Sequence, residues 1–123
     1  MKKYLCSLGS NIEPQHHFSQ ARAALEVLSG DITFSRNIPT SPVDINTDNA
    51  FLNALFIIET PMTAGELKRE FNRIEEALGR DRSDPERSLK DRTIDIDILG
   101  SVEESPKVPD YLTSLLPDLG LAS

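Results

Sequence analysis

Apolar positions along this chain alternate between runs at strand spacing and runs at helical spacing, and the changes mark the elements. Tyr4 to Leu8 is a short apolar run entering Gly9-Ser10-Asn11, which predicts a buried strand ending in a turn. Pro14 suits the first turn of a helix, where its missing N–H costs nothing, and Phe18, Ala21, Ala24, Leu25 and Leu28 recur at helical spacing until Gly30. Ile32 and Phe34 alternate as a second strand that Ile38 can extend. Pro39 to Asn49 has the Pro, Thr, Asp and Asn content of a loop. Phe51 to Thr60 is apolar and partly β-branched, the pattern of a central strand. Thr63 with Glu66 three residues on forms a capping-box signature. The helix it opens shows Leu67, Phe71, Ile74, Ala77 and Leu78 on one face and stops at Gly79. Arg80 to Lys90 has almost no apolar content, carries dense charge of both signs and reads as a solvated loop; Thr93 to Leu99 alternates Ile or Leu with Asp as a half-exposed strand.

The resulting order, β-α-β-β-α-β, predicts an α+β ferredoxin-like sandwich: an antiparallel sheet with two helices on one face. Residues 1–100 are expected to form this unit. Residues 101–123 carry three prolines and no clear helical period, and are expected to be an irregular tail of the same domain.

Composition narrows the function more than the fold. A chain of 123 residues suits one domain with a single core. Its formal net charge of −7 opposes general binding to nucleic acid or to anionic membrane surfaces, although clustered arginines can still hold an anion locally. The single cysteine, Cys6, excludes an internal disulfide or a Cys-based zinc site and reads as a small buried hydrophobe. Polar residues arrive at Ser7 and Ser10, so the opening run supports neither export nor a membrane span, and a cytoplasmic location is expected.

The chemistry concentrates near one strand. Asp95 and Asp97 stand two apart, so on a strand both carboxylates share one face at roughly 6.5–7 Å. Such a pair suits a hard cation like Mg²⁺, which takes one or two carboxylates and fills its shell with phosphate and water oxygens. A plain solvated strand face is the alternative, although Asp is disfavoured in strands and close pairs repel. Arg80, Arg82, Arg87 and Arg92 lie in the loop leading into this strand. Either they bind phosphate or they pair with Asp81, Asp84, Glu86 and Asp91. Asn53 interrupts an apolar strand, as a satisfied buried amide or a ligand contact. Gly9-Ser10-Asn11 lacks the P-loop lysine and reads as a tight turn; Glu75 reads as a helix-face carboxylate, and His16 and His17 as surface residues.

Four stretches together resemble one family. Leu5–Asn11 (LCSLGSN), Phe51–Thr60 (FLNALFIIET), Asn72–Arg82 (NRIEEALGRDR) and Arg92–Leu99 (RTIDIDIL) are similar, in that order, to the 6-hydroxymethyl-7,8-dihydropterin pyrophosphokinases. The resemblance implies transfer of the pyrophosphoryl group of ATP to the hydroxymethyl group of a reduced pterin, with release of AMP, in folate biosynthesis. It further implies two Mg²⁺ ions on Asp95 and Asp97, and phosphate contacts from Arg80, Arg82 and Arg92. Asn72, Glu75, Ile98 and Tyr111 would fall on the ATP side, and Thr40, Ser41, Val43, Phe51 and Asn53 on the pterin side. Partners would be ATP and the pterin; a homodimer stays open. The chain departs from the family at Asp110, where a triphosphate-binding His is usual, at Leu89 where many members carry Trp, and in lacking a clear counterpart to a later Arg and a pterin-stacking Phe.

A second class of function fits those departures: a non-catalytic or altered-substrate relative that binds nucleotide or pterin as a sensor or interaction module. A ferredoxin-like RNA-binding module is excluded, because it requires exposed aromatics and a basic sheet face where this chain has Asp95 and Asp97.

Overall fold

The computed structural model describes residues 1–40, 51–79 and 94–121. They form strand β1 (Lys2–Ser10), helix α1 (Pro14–Leu28), β2 (Ile32–Phe34), β3 (Ile38–Thr40), β4 (Phe51–Thr60), α2 (Ala64–Ala77) and β5 (Asp95–Ser101). Two 3-10 segments follow, Val102–Glu104 and Asp110–Leu119. The sheet has five strands in the order β2-β4-β1-β5, with β3 also paired to β4, and its pairings are antiparallel. This is the α+β ferredoxin-like arrangement, with the first and central strands innermost.

Strand alternation explains the layers. Tyr4, Cys6 and Leu8 of β1, Ala54, Phe56 and Ile58 of β4, and Ile94 and Ile96 point to one face, where Phe18, Ala21 and Leu25 of α1 and Leu67 and Phe71 of α2 cover them. Phe56 and Phe71 meet edge to face at a centroid distance of 5.9 Å, joining sheet to helix. The Thr63–Glu66 capping box forms in full, the Glu66 N–H donating to Thr63 Oγ1 at 3.2 Å and the Thr63 N–H to Glu66 Oε1 at 2.9 Å.

Gly9 and Ser10, expected in a turn, continue β1, and three larger features differ from the sequence reading. The second strand is divided into β2 and β3, and its register on β4 advances by one residue between them. At this bulge the Ser35 N–H still donates to the Leu55 carbonyl at 2.9 Å, while the Ser35 hydroxyl oxygen accepts the Leu55 N–H. Pro39, with no donor to offer, sits on this edge.

His17 is buried rather than on the surface, and its Nδ1–H donates to the Ile12 carbonyl at 2.6 Å. The contact supports the chain reversal at Glu13, whose φ of 41° is left-handed.

The third difference is the largest. Where prolines suggest an irregular tail, Asp110–Leu119 is a 3-10 helix whose Leu112, Leu115 and Leu116 pack on Leu5 and Leu55, the second face of the sheet. Burying each leucine stabilises the fold by roughly 1.5–3 kcal/mol, so this segment is a third layer. Asp118 ties it down, accepting from Arg36 Nη1 at 2.6 Å and from the Arg36 N–H at 2.9 Å.

Candidate active site

The second face of the sheet changes character along its strands. Leu5, Leu55, Ile57 and Leu99 form the apolar half, against which the 3-10 helix packs. The same alternation brings Ser7 and Gly9 of β1, Asn53 of β4, and Asp95 and Asp97 of β5 to the polar half. Gly9 pairs with Asp95 on one side and Asn53 on the other, and Ser7 likewise pairs with Asp97 and Leu55. One row across the sheet therefore reads Asp95–Gly9–Asn53, with the carboxylate and the amide two strands, roughly 10 Å, apart.

Gly9 is the floor of that row. A Cβ there would come within 2.9 Å of Asn53 Oδ1, a distance side chains do not sustain. The missing side chain thus leaves room that Asn53 Oδ1 occupies, directly over the Gly9 backbone. Asn53 is held from behind: it is 8% exposed, and its Nδ2 donates to Thr40 Oγ1 at 2.5 Å. Phe51 pairs with Thr40 in the same ladder. Thr40, Phe51 and Asn53 are therefore together at one end of β3 and β4. Ser41 and Val43 lie outside the described residues, as do Arg80, Arg82 and Arg92.

Strand β5 is an edge strand, and α2 secures its outer side. The Ile96 N–H donates to Glu75 Oε2 at 2.8 Å, and the Ile96 carbonyl accepts from Lys68 Nζ at 3.1 Å. Both backbone groups of the residue between the two aspartates thus receive a side-chain partner from α2, which fixes the strand that aims them. Glu75 is fully buried. It is a strand-positioning carboxylate as well as a candidate nucleotide contact. Asn72 occupies the same helical stripe as Lys68 and Glu75, and by the two-residue period the Ile98 backbone points to this outer edge. Tyr111 opens the long 3-10 helix beside Asp110 and is 58% exposed.

Lys68 reaches further, to 3.4 Å from Asp97 Oδ1. Beneath them Cys6 is fully buried; burial pushes its thiol well above its ordinary range, the Asp97 carboxylate adds to the rise and Lys68 opposes it. Cys6 is accordingly a packing residue without nucleophilic character.

Sequence reasoning passed over Lys68 and read Gly9 only as part of a turn. Lys68 stands four and seven residues before Asn72 and Glu75, a helical spacing that contained the signal. For Gly9 nothing local marks the close approach of Asn53, since only pairing brings it opposite.

The donor set fits a hard cation. Both carboxylates lie on one face, and among the described residues no group of three or more His, Cys, Asp or Glu side chains could hold a metal. Also among the described residues, no helix is long and apolar enough to cross a membrane.

Fold and site define an α+β ferredoxin-like protein with a row of polar side chains at one end of its sheet. Residues 5–117 match the family model of 7,8-dihydro-6-hydroxymethylpterin-pyrophosphokinase, and the chain belongs to that family. It is also similar to proteins named 2-amino-4-hydroxy-6-hydroxymethyldihydropteridine pyrophosphokinase from two strains of Porphyromonas gingivalis. Each is 35% identical over 97 residues, covering 76% of this chain and 65% of the relative. The chain thus spans 65% of the length of these curated relatives.

Proposed function

We propose that the chain transfers the pyrophosphoryl group of ATP to the hydroxymethyl group of 6-hydroxymethyl-7,8-dihydropterin, as a pyrophosphokinase of folate biosynthesis. The observation that carries this reading is the Asp95–Gly9–Asn53 row: one strand-borne carboxylate, with Asp97 on the same face two residues on, stands across Gly9 from an anchored amide. Family membership and the printed names of the relatives support the choice of substrates.

In this reading Asp95 and Asp97 hold Mg²⁺ against the triphosphate. Two such ions would neutralise phosphate charge and polarise the pterin hydroxyl. Asn53, with Nδ2 engaged by Thr40, offers its Oδ1 to an N–H on the pterin edge. Phe51 is positioned to contribute apolar surface to the same ring. Glu75 and Lys68 hold Ile96 so that the neighbouring carboxylates keep their aim. The pterin oxygen bonds to the β-phosphorus and its hydroxyl proton passes to solvent, as the bond from that phosphorus to the α,β-bridging oxygen breaks and AMP leaves with the bonding pair. Alignment and water exclusion do most of the work. Arg80, Arg82 and Arg92 are assigned phosphate contacts by family resemblance alone. Backbone groups near Ile98 are assigned to adenine, and Asn72 and Tyr111 to the nucleotide, on the same basis. The cell compartment in which ATP and pterin meet is taken as the cytoplasm.

The test is AMP release from Mg-ATP, with and without the pterin, with Asp97→Asn as control. Pterin-dependent AMP that disappears in the variant is the expected result. Nucleotide binding with no AMP would instead favour the non-catalytic relative, for which Asp110 in place of a cationic or neutral triphosphate contact is the specific argument. Failure to bind Mg-ATP at all would sink the site.

A further inference from the structure

We propose that Lys68 makes cation loading of the Asp95–Asp97 pair dependent on nucleotide. The inference rests on reading that pair as the cation site, and extends it to a residue with no role so far beyond holding a strand. Its neighbours Leu67 and Phe71 enter the core, whereas Lys68 turns around the open edge of β5. Its ammonium is pinned there by the Ile96 carbonyl at 3.1 Å and stands 3.4 Å from Asp97 Oδ1. Most surface lysines sweep a wide volume; this one is anchored to the backbone between the two carboxylates, with Glu75 holding the other end of the same residue.

A fixed positive charge at that distance acts in opposite directions on the two ligands. It cancels part of the negative charge that draws a free dication, and then repels the ion once bound. A nucleotide triphosphate brings more negative charge than the cation neutralises, so the same ammonium favours the cation–nucleotide complex. Lys68 therefore discourages occupation by cation alone and strengthens the coupling between the two ligands. By linkage that coupling must appear equally in both binding constants. Lys68 and Asp97 side chains are 43% and 50% exposed, so solvent screens the effect and it should be modest.

The experiment is Mn²⁺ titration followed by the electron paramagnetic resonance of the free ion, with and without a non-hydrolysable ATP analogue. Lys68→Gln removes the charge yet keeps an amide donor for the Ile96 carbonyl; Lys68→Met keeps the apolar stem, and Lys68→Arg keeps the charge. Without nucleotide, both neutral variants should bind Mn²⁺ about three- to tenfold tighter than wild type at low salt, with Lys68→Arg close to wild type. The gain should collapse at about 0.5 M salt, which loss of a purely structural contact would not do. The nucleotide-induced gain in Mn²⁺ affinity should fall in the neutral variants. Unchanged or weaker Mn²⁺ binding in folded Lys68→Gln and Lys68→Met, with binding still abolished by Asp97→Asn, overturns the inference and leaves the cation site standing. Binding that survives Asp97→Asn, or no binding by wild type even with nucleotide, overturns the site and this inference together.

Discussion

Gly9→Ala should separate stability from ligand binding in one substitution. The added Cβ lies 2.9 Å from Asn53 Oδ1, while its next neighbours, the Leu52 carbonyl and Asn53 Cγ, are at ordinary contact distances of 3.8 and 3.9 Å. The clash is therefore with the far end of a side chain, which can rotate, and not with backbone. Rotation breaks the Asn53–Thr40 hydrogen bond, a loss of about 0.5–1.5 kcal/mol. Against it, replacing glycine in an extended conformation restricts the unfolded chain and stabilises by about 0.4–1 kcal/mol. The net change in stability should stay within about 1 kcal/mol. Ligand affinity has no such offset. Asn53 no longer meets the pterin edge and the floor between amide and carboxylate is raised, so pterin affinity should fall about tenfold to a hundredfold. Calorimetric titration of the pterin in the presence of a non-hydrolysable ATP analogue measures this, beside urea unfolding of the same preparation. Asn53→Ala should produce a similar loss, and the double variant no more than either single, because both act through one contact. Unchanged pterin affinity in folded Gly9→Ala would refute the reasoning, as would losses that simply add.

Three further outcomes are expected. Leu115→Ala should cost about 2–5 kcal/mol in urea unfolding and lower protection of β1 amides from exchange, because Leu115 is fully buried against Leu5 and Leu55; a loss below about 1 kcal/mol would mean that the 3-10 layer is not part of the core. Glu75→Ala leaves the buried Ile96 N–H without its acceptor and should cost about 1–3 kcal/mol, and it should also weaken Mn²⁺ binding by misaiming Asp95 and Asp97, read by the same resonance titration. Glu66 is held below its ordinary value of 4.5 mainly by the Thr63 backbone N–H, with the Thr63 side chain and the Arg69 and Lys2 charges contributing. A depressed folded value means stability present above about that pH and lost as pH falls through the folded value, so the deficit of Glu66→Gln in urea unfolding should be fullest at neutral pH and shrink below pH ~4.5; a deficit independent of pH would contradict this.

The elements were largely legible in the sequence because each carries a local signal. Pro14 began a helix, the Thr63–Glu66 pair began another, and Phe51–Thr60 had the composition of an inner strand. The 3-10 helix was not legible, although Leu112, Leu115, Leu116 and Leu119 stand at helical spacing, because Pro106, Pro109 and Pro117 argue against regular structure. The exposed second face of the sheet supplied the reason for it to order. His17 was misjudged likewise: adjacent histidines look solvated, and only the turn at Glu13 gives one of them a carbonyl to meet.

By itself, the sequence determined the family, the α+β class, and that Asp95 and Asp97 share a face, since strand alternation is a property of the backbone alone. Tertiary structure decided what stands opposite them. Register brings Asn53, 42 positions before Asp95, into the same row through Gly9. Helix docking carries Lys68 and Glu75 around the outer side of β5 to the one residue between the aspartates. Cross-strand register and side-chain reach depend on distances between elements, and no local spacing encodes them.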